Sequence, residues 1–212
     1  MNVLRSVLFA VVFYGWSALL SPMYVPFMLL PRRMFWHMCW MWVRSCLVLV
    51  EWVAGIRYEV RGRENLPPGP IIIASKHQSA WDTLIYNKLF EDSVYVLKRE
   101  LFWFPCFGWF LWRVGMVGID RSGGAQALKS LVRRVRQRLS EGRDIVIFPQ
   151  GTRTPPGAER PYLPGVAALY LQAGAPIVPV ALNSGMFWPR RRFVKRPGSI
   201  VLEFLPPIQP GL

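Results

Sequence analysis

The chain has 212 residues, enough for one domain with a sizeable core, and 26 Lys and Arg against 12 Asp and Glu give a net charge of +14. This charge favours an anionic partner: nucleic acid, a phosphorylated substrate or an anionic membrane. Because 52% of the residues are apolar and the aromatics cluster in apolar runs, we expect a membrane partner and no nucleic acid. The three cysteines lack C-x-x-C spacing, so we expect no disulfide framework and no metal site. No part of the sequence requires an organic cofactor, so we expect none.

Residues 1–56 are predicted to form a membrane-associated segment of two helices. Residues 6–31 carry no charge, and residues 34–56 form a second apolar segment. Two arrangements fit: a hairpin that spans the bilayer, or a pair of helices immersed in one leaflet. A spanning hairpin would place Arg32 and Arg33 on the side opposite the main domain, against the positive-inside tendency. We therefore favour the immersed pair.

Residues 57–212 are predicted to form an α/β domain, because short β-branched runs alternate with turns and amphipathic segments. Helices are expected at 79–90 and 125–141. Strands are expected at 57–62, 70–75, 93–97, 114–119, 144–148, 175–182 and 199–205. This alternation indicates a mixed, largely parallel sheet flanked by helices and joined by crossover connections.

One uncharged stretch in this domain, LFWFPCFGWFLW at 101–112, has two interpretations. It is either buried core or an element that faces lipid or lines a site for an acyl chain. The sequence alone does not decide between these interpretations.

The stretch KHQSAWDT, residues 76–83, contains a histidine followed five positions later by an aspartate. Ser79 and Asp82 have the S-x-x-D spacing of a capping box, with Ser79 as the N-cap, so Asp82 could serve only to begin a helix. Alternatively, the turn brings Asp82 against His77 at the rim of the sheet, where ligands bind in α/β folds. The carboxylate would then orient the imidazole, and His77 would act as a general base.

A basic residue follows each of three successive predicted strands: Lys98, Arg121 and Arg153. Gly151 lets the backbone approach a ligand closely, and Thr152 adds a hydroxyl donor. Cations that converge at one rim of a sheet predict an anion-binding site, and arginine can form bidentate contacts with phosphate.

Four segments in this order resemble the motifs of the glycerolipid acyltransferase family, in particular its bacterial lysophosphatidate acyltransferases. They are HQSAWD (77–82), GIDR (118–121), FPQGTR (148–153) and IVPVAL (177–182). The resemblance implies transfer of a fatty acyl group from acyl carrier protein or a coenzyme A thioester to the free hydroxyl of lysophosphatidate. It also implies a two-helix membrane element and a place on the cytoplasmic side of the bacterial inner membrane.

The resemblance implies roles for individual residues as well. His77 would be the catalytic base and Asp82 its orienting partner. Substrate binding would fall to Lys98, Arg121, Gln150, Gly151, Thr152, Arg153, Val178 and Pro179. Among these, the two residues of the fourth motif would shape a pocket for the acyl chain or the acceptor.

One departure from the family pattern affects the prediction. The third motif usually has Glu where this chain has Gln150, which can bind a hydroxyl but carries no charge. A noncatalytic phospholipid-binding protein of the same fold therefore stays an alternative, as does an acyltransferase for glycerol 3-phosphate or another lyso-lipid. The chain stops at PPIQPGL, where the resemblance leads us to expect a further helical segment.

Overall fold

The computed structural model describes residues 2–210, so Met1 and residues 211–212, at the outer ends of the two predicted segments, lie outside the described residues. Two long helices come first, α1 (Asn2–Tyr24) and α2 (Arg32–Trp52), with a 3-10 turn at Pro26–Leu29 between them. By length and composition, α1 is apolar enough to cross a membrane. Its exposed face is largely apolar, as expected for a helix in contact with lipid.

The turn between these helices is held against the rest of the chain. Arg32 forms an ion pair of 2.7 Å with Asp92, which precedes the third strand. Arg113 donates hydrogen bonds to the carbonyl oxygens of Met28, at 2.8 Å, and of Leu30. The turn that joins α1 and α2 is therefore in contact with the α/β domain.

Up to residue 210, the α/β domain contains one sheet of seven strands in the order β1-β7-β6-β2-β5-β3-β4. The strands are β1 (Ile56–Arg61), β2 (Ile72–Ser75), β3 (Val94–Lys98), β4 (Val117–Ile119), β5 (Ile145–Ile147), β6 (Ile177–Leu182) and β7 (Gly198–Phe204). Neighbouring strands are parallel except for β6 and β7, which are antiparallel. The predicted mixed, largely parallel sheet is confirmed.

Four further helices cover the sheet: α3 (Asp82–Leu89), α4 (Phe107–Arg113), α5 (Gly124–Ser140) and α6 (Pro164–Gln172). The short apolar run 71–73 illustrates why both faces need a cover. Successive side chains of a strand point to opposite faces, so Ile71 and Ile73 pack with α2 and α3, whereas Ile72 packs with α5 and α6.

Three expectations from the sequence need correction. The helix predicted over 79–90 begins only at Asp82, and its N-cap is Trp81 in place of the predicted Ser79. Helix α6 is absent from the prediction, because its apolar run has no single core face. The interpretation of 101–112 as buried core is wrong: Gly108 is the buried residue of α4, and the large side chains around it are partly or largely exposed.

Candidate active site

The predicted pair His77 and Asp82 forms a hydrogen bond at the rim of the sheet. His77 lies in the loop after β2, and its Nδ1 is 2.9 Å from Oδ2 of Asp82, the first residue of α3. The Asp82 side chain is fully buried and that of His77 is 13% exposed. The His77 ring also stacks on Phe148 with 4.0 Å between ring centroids. A carboxylate can only accept, so Nδ1 carries the proton and Nε2 is the nitrogen available as a base.

The carboxylate of Asp82 also organises its own loop. Its Oδ2 accepts from the backbone N–H groups of Gln78, at 2.7 Å, and Ser79, at 2.8 Å. The bond from Ser79 has the spacing of a capping-box return bond, but the N-cap of α3 is Trp81, without a side-chain cap bond. Ser79 Oγ instead accepts from the N–H of Trp81 at 3.1 Å. The two interpretations of this stretch are therefore compatible: one carboxylate both fixes the turn before α3 and holds His77.

Ser184 is a partner of this pair that the sequence analysis missed. It lies in the loop after β6, is fully buried, and its Oγ donates to Oδ1 of Asp82 at 2.5 Å. The next residue, Gly185, donates its N–H to Oε1 of Gln78 at 3.0 Å. The sequence signal that could have indicated Ser184 was its position shortly after a predicted strand that ends at the same rim.

The loop after β5 completes the rim. The N–H of Thr154 donates to the carbonyl of His77 at 2.7 Å, which joins the third predicted motif to the first. Gly151 has a φ of +64°, and a Cβ there would overlap Leu163 and lie 3.1 Å from Cζ of Arg121. Arg121 therefore lies against the backbone of this loop, as the convergence of strand ends predicted.

Arg153 and His77 line the same cavity. The side chain of Arg153 is half-buried, and burial, followed by the charge of Arg190, lowers the pKa of Arg153 from its ordinary value. Within residues 2–210, no carboxylate lies at ion-pair distance from it, although the charge of Asp82 acts on it from further away. A half-buried cation without a carboxylate at this distance favours an anionic ligand.

The remaining predicted site residues lie at varying distances from this centre. Lys98 is exposed and 3.7 Å from Glu100, and it does not line the cavity. Gln150 is buried, and its Oε1 has no hydrogen-bond partner in the described residues. Val178 is fully buried in the core beside β2, and Pro179 is half-buried in the same strand. Thr152 lies between Gly151 and Arg153 with a partly exposed side chain.

An apolar cavity of about 410 Å³ extends from His77 and Arg153 between the helix pair and the domain. Its walls come from α1, α2, α3, α4 and the neighbouring strands. They include Leu20, Tyr24, Trp36, Leu84, Leu97, Phe107, Phe110 and Leu111. A proton acceptor and a cation thus line one cavity with apolar side chains, an arrangement that suits a ligand with an anionic group and an apolar part.

Residues 57–183 match the model of the family described as "Acyltransferase". The chain belongs to the acyltransferase family. Two relatives named 1-acyl-sn-glycerol-3-phosphate acyltransferase extend the comparison. The protein from Pseudomonas aeruginosa is 45% identical over 159 residues, which cover 75% of this chain and 62% of that protein. The alpha form from Mus musculus is 31% identical over 205 residues, which cover 94% of this chain and 71% of that protein.

A solved structure of the acyltransferase family has the same fold. The 1-acyl-sn-glycerophosphate acyltransferase from Thermotoga maritima matches with a TM-score of 0.75 and 21% identity, and the match covers all of this chain and 89% of that one. Membership of the acyltransferase family, expected from the four motifs, is confirmed. The chain spans about three fifths of the length of the Pseudomonas relative.

Proposed function

We propose that the chain is a membrane-bound 1-acylglycerol-3-phosphate O-acyltransferase of phospholipid biosynthesis. It transfers a fatty acyl group from acyl carrier protein or coenzyme A to the free hydroxyl of lysophosphatidate and so makes phosphatidate. The observation that carries this proposal is the hydrogen-bonded pair of His77 and Asp82 at the mouth of an apolar cavity, with Arg153 beside it.

The proposed reaction needs no protein nucleophile. His77 Nε2 takes the proton of the lysophosphatidate hydroxyl, whose oxygen attacks the carbonyl carbon of the thioester. The tetrahedral intermediate collapses, the new ester forms, and the carbon–sulfur bond breaks. The leaving thiolate takes the proton from His77, which restores the neutral imidazole. Asp82 holds the ring in the required tautomer and stabilises the imidazolium between the two steps.

Binding of the acceptor rests on the cations of the rim. Arg121 and Arg153 would hold the phosphate, with Thr152 and the backbone at Gly151 as further donors. Lys98 would reach the phosphate from the outer side after release from Glu100. The buried Oε1 of Gln150, which has no hydrogen-bond partner among residues 2–210, is available to accept a hydrogen bond from the hydroxyl of a ligand.

We also propose that α1 and α2 lie in one leaflet instead of spanning the bilayer. The ion pair of Arg32 with Asp92 and the bonds of Arg113 to the connecting turn support this arrangement, because they hold that turn against the α/β domain. In a bacterial cell the domain would face the cytoplasm, where carrier protein and coenzyme A thioesters are available.

The test supplies the purified protein in phospholipid vesicles with an acyl thioester and one acceptor at a time: lysophosphatidate, glycerol 3-phosphate or a lyso-lipid without a free phosphate. The proposal predicts phosphatidate, detected by mass spectrometry, with lysophosphatidate as the preferred acceptor. Preference for another acceptor would contradict the proposed substrate. Binding of lysophosphatidate without consumption of thioester would favour the noncatalytic alternative.

A further inference from the structure

Five large aromatic side chains are exposed within the ten residues 103–112, which we call the aromatic segment. Their exposed fractions are 75% for Trp103, 57% for Phe104, 45% for Phe107, 47% for Trp109 and 72% for Trp112. A cluster of this density on a soluble surface marks an interaction site, because each exposed ring forgoes a large hydrophobic stabilisation.

The aromatic segment is fixed next to the turn that joins α1 and α2. From α4, Phe110 packs on Phe35, with 5.4 Å between ring centroids, and on Tyr24, at 6.5 Å. Arg113 at the end of α4 binds the carbonyls of that turn. The same turn exposes Leu29 by 93%. The exposed apolar surface of the helix pair therefore continues into the aromatic segment.

The chemistry of the aromatic segment fits a bilayer better than a protein partner. Three of its five exposed rings are indoles, the side chains that concentrate at the level of lipid headgroups. Residues 101–112 contain no charge, and charged residues of net positive sign flank them, with Lys98, Arg99 and Glu100 before and Arg113 after. An uncharged aromatic segment with flanks of net positive charge matches the apolar interior and anionic surface of a bacterial leaflet.

We propose that the aromatic segment is a third membrane-inserted element, immersed in the same leaflet as the helix pair. This inference rests on the proposed membrane-bound function and adds to it a surface of the α/β domain itself. Phe107, Phe110 and Leu111 line the cavity that contains His77, while their neighbours Trp103, Phe104 and Trp109 face outward. Insertion therefore places this wall of the cavity at the depth in the bilayer at which the lipid substrate lies.

The test compares the full chain with the variant Trp103→Gln/Phe104→Gln/Trp109→Gln. These three side chains are largely exposed and do not line the cavity, so the substitutions leave the fold and the site intact. The control is Leu171→Gln, a residue on α6, the helix on the other face of the sheet, with a comparable exposed fraction of 72%. Vesicles contain phosphatidylcholine and phosphatidylglycerol, and partitioning is measured by co-sedimentation over a range of lipid concentrations.

We expect the triple variant to partition at least tenfold more weakly than wild type, and the control to be unchanged. Quenching of tryptophan fluorescence by brominated lipid should also decrease in Trp103→Phe/Trp109→Phe, which retains the apolar surface. In detergent micelles with lysophosphatidate, thiol release by the triple variant should equal that of wild type. This readout separates failure of the inference from failure of the proposed function.

Unchanged partitioning of the triple variant would overturn the inference, and so would unchanged quenching in the phenylalanine variant. If the aromatic segment instead paired two copies of the chain, wild type would sediment as a dimer and the triple variant as a monomer, with partitioning unaffected. That result would also overturn the inference, while leaving the acyltransferase proposal in place.

Discussion

The carboxylate of Asp82 accepts four hydrogen bonds, from His77, from two backbone N–H groups and from Ser184. The bond from Ser184 is the one that arrives from a distant part of the chain. In the proposed mechanism the carboxylate must hold His77 in one orientation while the imidazole gains and loses a proton. Ser184 is therefore a positioning residue that acts on the base through Asp82.

Ser184→Ala should lower kcat about tenfold while leaving KM for lysophosphatidate unchanged. A hydrogen bond to a charged group contributes about 1.5–3 kcal/mol, and about 1.4 kcal/mol corresponds to a factor of ten in rate. Steady-state assays of thiol release measure both constants. Ser199→Ala, at an exposed position in β7, is the matched control and should behave as wild type. A change in KM alone would contradict the positioning role.

Gly151→Ala should raise KM for lysophosphatidate about tenfold. An alanine there meets two costs: the left-handed backbone, roughly 1–2 kcal/mol, and the overlap with Leu163 that displaces the neighbouring Arg121. Gly157→Ala carries the first cost without the second, because Gly157 has a φ of +78° with open space around it. Equal KM values in the two variants would show that Arg121 does not hold the acceptor.

Local spacing allowed the contact of His77 with Asp82, because two residues on either side of a turn can meet, but it did not distinguish this contact from a simple helix cap. Ser184 lies 102 residues from Asp82 in the chain, so no local pattern could pair them. Lys98 shows a different limit: it is the last residue of β3, one residue earlier than its predicted place after the strand, and its side chain pairs with Glu100.

At the scale of helices and strands, Asp92 connects the start of α2 to the α/β domain through ion pairs. This residue binds Arg32 at 2.7 Å on one side and Arg143 at 2.9 Å on the other. The Arg143 side chain is 3% exposed and that of Arg32 is 31% exposed. Burial lowers the pKa of Arg143, and the negative charge of Asp92 counteracts this effect.

Asp92→Asn should therefore destabilise the chain by up to about 3 kcal/mol, because the buried guanidinium of Arg143 loses its shorter ion pair and keeps only the one with Glu141, at 3.8 Å. Arg32→Ala removes only a partly exposed pair and should cost less than about 1 kcal/mol. Asparagine tolerates the φ of +52° at this position, so backbone strain is the same in both proteins. Denaturant unfolding in detergent gives both values. Equal losses would contradict a central role for Asp92.

For some helices and strands, composition was insufficient to predict the packing. The run 101–112 could be read as core or as a lipid-facing element, since both are apolar and only tertiary packing distinguishes them. The helix predicted over 125–141 was unambiguous, because its apolar residues recur at helical spacing, and three of them, Leu131, Val132 and Val135, are buried in α5. The strand order could not be predicted from the sequence, because β7 joins the sheet between β1 and β6 through contacts that are remote in sequence.

For the whole molecule, the central geometric question is on which side of the bilayer the turn between α1 and α2 lies. An immersed pair places Arg33 on the same side as the α/β domain. In vesicles with the domain outside, Arg33→Cys should react with a membrane-impermeant maleimide at a rate similar to Arg192→Cys, an exposed control in the domain. Protection of residue 33, relieved by detergent, would indicate a spanning hairpin.

The most direct measurement is thiol release from an acyl thioester by the protein in vesicles, with and without lysophosphatidate, for wild type and His77→Ala. Removal of a general base typically costs a factor of 10² to 10⁴ in rate. We predict release that requires lysophosphatidate and falls at least a hundredfold in the variant, with an unchanged circular dichroism spectrum. Equal release by the two proteins, or none by folded wild type with either thioester, would contradict the acyltransferase mechanism.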